Sequence, residues 1–170
     1  VQWITDITND HQGFENKLSA RCLRQPRPQF FGRVPQLQCD FIEKRVISGL
    51  LDGVRVLNRY VPNGSSLSAE KYPYTLSWLA CLKRYLDAQA ARGEPLCMVG
   101  DFNIALEARD IHDPDRLSGS IMASDAERDA LREALGERLQ DAFRMFEPDA
   151  GHWSWWDYRT GAWDRDRGWR

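Results

Sequence analysis

The chain has 170 residues, 42% of them hydrophobic, and a formal net charge of −2. That is enough to bury one sizeable core, and length gives no reason for two unrelated domains. The near-neutral charge excludes a basic-tail argument for nucleic acid, although a local basic face can sit on an acidic protein.

In chain order, residues 1–43 come first and are poorly specified. They mix polar and apolar residues without sustained period, and Pro26, Pro28 and Pro35 break any helix late in the segment. From residue 44 the pattern sharpens. "KRVISGLLDGVRVLNRYV" is two β-branched runs joined at Asp52-Gly53, a pair that favours the positive φ angles of a tight hairpin. "PNGSSLS" follows as a loop. The next segment carries Leu76, Leu79, Leu82, Tyr85 and Leu86 as a helical stripe that ends near Gly93. "LCMVGDFNI" is a short apolar strand, so strand, helix and strand form a βαβ-like unit. "SDAERDALREALGERLQDAF" predicts a second helix capped by Ser124 or Asp125. The chain closes on the aromatic and charged "GHWSWWDYRTGAWDRDRGWR". Four cysteines, widely spaced and without a C-x-x-C pair, suit thiols in a reducing, cytoplasmic compartment. No apolar stretch approaches the roughly 18 residues of a membrane-spanning helix.

Three clusters bear chemistry. Asp101 and Asn103 fall at the carboxyl end of a predicted strand, where α/β sheets collect their ligands. On an extended backbone these alternate residues would face one side and could share a hard cation such as Mg²⁺ or an activated water. A bare Gly-Asp-x-Asn is more commonly a turn followed by a cap. Tyr60 and Asn63 lie at the end of an earlier strand and could hold a phosphate oxygen, or form a Pro-Asn-Gly turn. Trp155, with Arg159 nearby, could stack on a base while the arginine holds phosphate, or pack in a core. Trp155 and Trp156 must point to opposite faces of a strand, so one core explains at most one of them.

Taken together and in order, "RVISGLLDGVRVLNRYVPNGSSLSAEKYPYTLSWLACL", "VGDFNIALEARDIHDP", "MASDAERDAL", "LQDAFRMFEP" and "HWSWWDYRTGAWDRDRGWR" closely resemble the exodeoxyribonuclease III family of the endonuclease/exonuclease/phosphatase superfamily. The resemblance covers residues 44–170. It implies an α/β (α+β) four-layer sandwich of the DNase I-like fold, and Mg²⁺- or Mn²⁺-dependent hydrolysis of double-stranded DNA. The expected activities are those of a 3′ exonuclease and an abasic-site endonuclease in base excision repair, acting on abasic sites or 3′-blocked ends.

Position by position, the resemblance places Tyr60 against the scissile phosphate and Asp101 at the attacking water or the leaving group. Asn103 falls on phosphate or metal, Trp155 on the wall of the pocket for a flipped-out abasic sugar, and Asn63 and Arg159 beside the DNA. The metal would rest on Asp101 and Asn103. The family's opening strands, with the "Q-E-T" Glu that is the principal metal ligand, do not occur here, nor does the Ser-Asp-His triplet that follows "GWR". Arg59 occupies a strand position that is apolar in the family. The resemblance therefore implies an incomplete member, with an open sheet edge and exposed apolar surface. It leaves two readings: part of an active nuclease, or an inactive remnant with weak DNA or partner binding.

Overall fold

The computed structural model describes residues 45–170. The poorly specified segment 1–43 lies outside them.

The first two strands, β1 (Val46–Leu51) and β2 (Val54–Tyr60), pair antiparallel around Asp52 and Gly53. Both turn residues have positive φ, 47° and 84°, as a two-residue primed turn demands. A loop leads to α1 (Lys71–Ala90), which crosses back so that β3 (Leu96–Asp101) lies parallel to β2. The sheet order is β1-β2-β3, the hairpin and βαβ unit expected from the sequence.

Alternation along β2 sends Leu57 and Arg59 to one face and Val56, Asn58 and Tyr60 to the other. Leu57 joins Met98 of β3 against Trp78, Leu79, Leu82 and Leu86 of α1, all fully buried. Each such apolar side chain contributes about 1.5–3 kcal/mol on burial. On the flank, β1 has β2 as its one strand partner among the described residues, and Ile47 and Leu50 stand 77% and 56% exposed.

After β3 the chain forms a short helix, α2 (Pro114–Leu117), then α3 (Asp125–Leu135) and α4 (Ala142–Phe146). The Ser124 side chain caps α3 in a reciprocal box with Glu127, and the Ser124 hydroxyl also meets that of Tyr72 at 2.8 Å. Leu131 and Leu135 of α3 pack into the α1 core. The predicted helix ran on through residue 143. It stops instead at Gly136, whose φ of 59° suits glycine, and the chain re-enters a helix only after the Asp141 cap.

Two short strands, β4 (Trp155–Trp156) and β5 (Gly168–Trp169), form a separate antiparallel pair, with Trp155 opposite Trp169. A β-carbon on Gly168 would collide with the Trp153 ring, so glycine permits that close approach. Of the described cysteines, Cys97 is a half-buried thiol. No helix among the described residues is long and apolar enough to cross a membrane.

Candidate functional site

The site is built where two parallel strands end together. Tyr60, the last residue of β2, is the register partner of Asp101, the last residue of β3. Neighbouring strands lie about 4.8 Å apart, so the two side chains leave the same face side by side. Tyr60 is 47% exposed, with the Arg45 guanidinium 5.4 Å from its ring centre. The strand ends are stitched by the Val61 amide, which donates to the Asp101 carbonyl at 2.9 Å, and by Asn103 Nδ2, which donates to the Val61 carbonyl at 2.9 Å.

Asn103 does not continue an extended backbone. Its φ is 48°, and its amide donates to Asp101 Oδ1 at 3.0 Å. The expected alternation is therefore replaced by an Asx-type turn, the other reading of this motif. The turn drives Phe102 into the core, where it is 1% exposed, and both polar side chains still line one small cavity. Its walls also include Met122, Ser154, Trp155, Trp169 and Arg170.

Asn63 is held by local bonds. Its Oδ1 accepts from the Ser65 amide at 2.8 Å and its Nδ2 lies 3.5 Å from Met122 Sδ. It shapes the loop and supports the Met122 wall, without itself lining the cavity. Trp155 does line it, half exposed, while Trp156 turns away onto Trp163 at 4.5 Å between ring centres. Arg159 is not brought in: it pairs with Asp157 at 3.2 Å on an exposed loop. That bond and its charge hold the Asp157 carboxyl below the usual range.

Among the wall residues that escaped sequence reasoning are Ser154, Trp169 and Arg170. Ser154 carries a buried hydroxyl with no hydrogen-bond partner among the described residues. Trp169 arrives through β5, anchored by the bridge to Ile111. Arg170 binds Asp141 through both terminal nitrogens at 2.6 Å, and Asp110 Oδ1 at 3.4 Å. Arg144 meets the same Asp110 carboxylate at 2.5 Å. These four charged groups fix the end of the chain behind the cavity. A long-range ion network of this kind has no local sequence signature.

Arg59 lies just below the site. It is 3% exposed, stacks over the Phe102 ring and donates to the Val99 carbonyl at 2.8 Å, leaving Nε and Nη2 without partners among the described residues. Burial pushes its guanidinium well below its ordinary pKa, and the Asp101 charge acts in the opposite sense.

Asp101 and Asn103 offer a hard cation an incomplete set of donors. With Nδ2 engaged by Val61, Asn103 keeps its carbonyl oxygen, and Asp101 keeps Oδ2. One carboxylate and one amide oxygen suit Mg²⁺, which retains several waters and takes further ligands from a bound phosphate. No group of three or more His, Cys, Asp or Glu side chains is arranged to hold a metal among the described residues.

Fold and site together define a mixed α/β protein that gathers its polar groups at the carboxyl ends of parallel strands. The chain belongs to the endonuclease/exonuclease/phosphatase family, whose model matches residues 17–170, as an exodeoxyribonuclease III-type member with the DNase I-like fold. It is 36% identical over 129 residues to an exodeoxyribonuclease of Bacillus subtilis, covering 75% of this chain and 50% of that one. It superposes on a 3′-5′ exonuclease from Neisseria meningitidis with a TM-score of 0.71 and 35% identity, over 74% of this chain and 49% of that one. An AP endonuclease from Archaeoglobus fulgidus matches with a TM-score of 0.69 and 35% identity, over 75% and 50%. The chain thus spans about half the length of these relatives.

Proposed function

We propose that this chain carries part of a Mg²⁺- or Mn²⁺-dependent site that hydrolyses phosphodiester bonds in double-stranded DNA, as a 3′ exonuclease and abasic-site endonuclease. The observation that carries the reading is the convergence of Asp101, Asn103 and Trp155 on one cavity, with Tyr60 beside Asp101 across the strand pair. The activities named for its relatives support it.

In this reading a bound divalent cation, resting on Asp101 and Asn103, would neutralise charge on the phosphate. The chain's own groups do the rest. Asp101 orients a water and accepts its proton as the water oxygen bonds to phosphorus. The bond from phosphorus to the 3′ oxygen breaks, and that oxygen takes a proton from solvent. The Tyr60 hydroxyl donates to a non-bridging oxygen, where charge builds in the transition state. Trp155 packs against the sugar of the reacting nucleotide.

A second reading is favoured by one observation: among the described residues the cavity has a single carboxylate, Asp101. In that case the chain binds DNA without cutting it. One assay separates the two: incision of a duplex bearing a single abasic site, at about millimolar Mg²⁺ with EDTA as control. Metal-dependent cutting that Asp101→Asn abolishes supports the nuclease, and no cutting by the folded chain supports the binding domain.

A further inference from the structure

A second and larger cleft, of about 420 Å³, opens beside the Asp101 cavity and shares Met122, Trp155 and Trp169 with it. Three arginines line it: Arg116 on α2, and Arg165 and Arg167 on the loop between β4 and β5. Their charge is poorly offset. Arg116 pairs with Asp113 at 3.0 Å, with both groups well exposed, so that bond is weak and screened. Asp157, the one carboxylate on the cleft wall among the described residues, is engaged by Arg159. Arg165 donates to the carbonyls of Thr160 and Gly161, which fix its direction and leave its charge uncompensated. Arg167 has no ion pair or side-chain hydrogen bond among the described residues.

The loop holds its two arginines in place before any ligand arrives. The carbonyl of Ala162 accepts from the amides of both Arg165 (3.3 Å) and Arg167 (2.9 Å), and Asp166 between them takes a φ of 48°. Like charges gathered on one wall repel each other and attract anions. The floor is aromatic, formed by Trp155 and Trp169. Guanidinium groups above an aromatic floor suit a nucleic-acid strand, whose phosphates need cations and whose sugars and bases need flat apolar faces.

We propose that this cleft is a phosphate clamp for the DNA strand on one side of the reacting phosphodiester, with Arg116, Arg165 and Arg167 neutralising successive backbone phosphates. It rests on the DNA reading above and assigns to three further residues a role in binding, apart from cutting. Each phosphate contact releases condensed counterions, so the clamp has a thermodynamic signature in the salt dependence of binding.

The test is fluorescence anisotropy of the 170-residue chain on a labelled duplex with a tetrahydrofuran abasic analogue, in EDTA, between about 50 and 200 mM salt. The triple variant Arg116→Gln, Arg165→Gln, Arg167→Gln is expected to bind at least about tenfold more weakly. Its slope of log affinity against log salt should be shallower by about 2–3, near 0.9 per phosphate lost. The single Arg167→Gln removes an exposed side chain with no intramolecular partner, so its fold is safe, and its slope should fall by about 1. Arg138→Gln, which breaks only an exposed pair with Asp87, should leave the slope unchanged. Binding by the parent chain with no change of affinity or slope in the arginine variants would overturn the clamp and spare the DNA reading. No binding by the parent chain at the lowest salt would overturn both.

Discussion

Tyr60 and Asp101 are register partners across the parallel pair of β2 and β3, so their spacing is set by backbone hydrogen bonds rather than by side-chain packing. Replacing either side chain leaves that frame in place. Tyr60→Phe should therefore fold with an unchanged melting temperature and lower any incision rate by about 100- to 1000-fold, the range for losing one donor to a charged transition state. An unaltered rate would remove the hydroxyl from the chemistry.

The frame itself depends on Gly100. Its φ is 117°, and a β-carbon there would collide with the Arg59 carbonyl and lie 2.7 Å from Asn58 Oδ1. Gly100→Ala should cost at least about 1–3 kcal/mol from backbone strain alone, read as a lower urea midpoint, and should impair the site by parting the strands beside Asp101. A variant as stable as the parent would show that β3 can shift to make room.

Arg59 is a charge buried with one hydrogen bond. Its guanidinium has a lower pKa folded than unfolded, so the unfolded chain holds the proton more tightly. The penalty is then full at every pH below the folded value and relieved only as pH rises through it. Arg59→Met keeps the contact with Phe102 and removes the charge. It should raise stability by about 1–4 kcal/mol, the gain seen when buried ions give way to apolar groups. A drop in melting temperature would mean that the bond to the Val99 carbonyl and the stack outweigh desolvation.

Asp110 presents the opposite case, since its carboxylate, 2% exposed, is met by Arg144 and Arg170. Asp110→Ala leaves both guanidinium groups short of an anion in a buried setting and should destabilise by about 3–5 kcal/mol. Chemical denaturation measures the loss. A change under about 1 kcal/mol would show that Asp141 alone satisfies both arginines.

Elements decided by local chemistry were legible in the sequence. Asp52-Gly53 announced the hairpin, the Leu79-Leu82-Leu86 stripe announced α1, and Ser124 with Glu127 announced the start of α3. The end of α3 was misjudged because the apolar spacing continues past Gly136, whereas a left-handed glycine ends the helix regardless of spacing. At the site, Asp101, Asn103 and Trp155 do line one cavity, but Asn103 reaches it through a turn rather than by alternation along a strand. Arg159 was expected from its position beside Trp155, yet it pairs with Asp157 on the surface. Ser154, Trp169 and Arg170 owe their place to pairing between distant segments, which no local pattern encodes.

The parallel pairing of β2 and β3 also sets the order in which the molecule can assemble. The β1–β2 hairpin closes around a two-residue turn and forms on a microsecond scale. Tyr60 and Asp101 are separated by the whole of α1 and its flanking loops, so their meeting waits for a long loop to close and for the crossover helix to dock. That corner is therefore a late acquisition of the folding chain, absent from any early collapsed species that already holds the hairpin and α1. Stopped-flow refolding should show far-UV signal returning before Tyr60 and Asp101 are brought together.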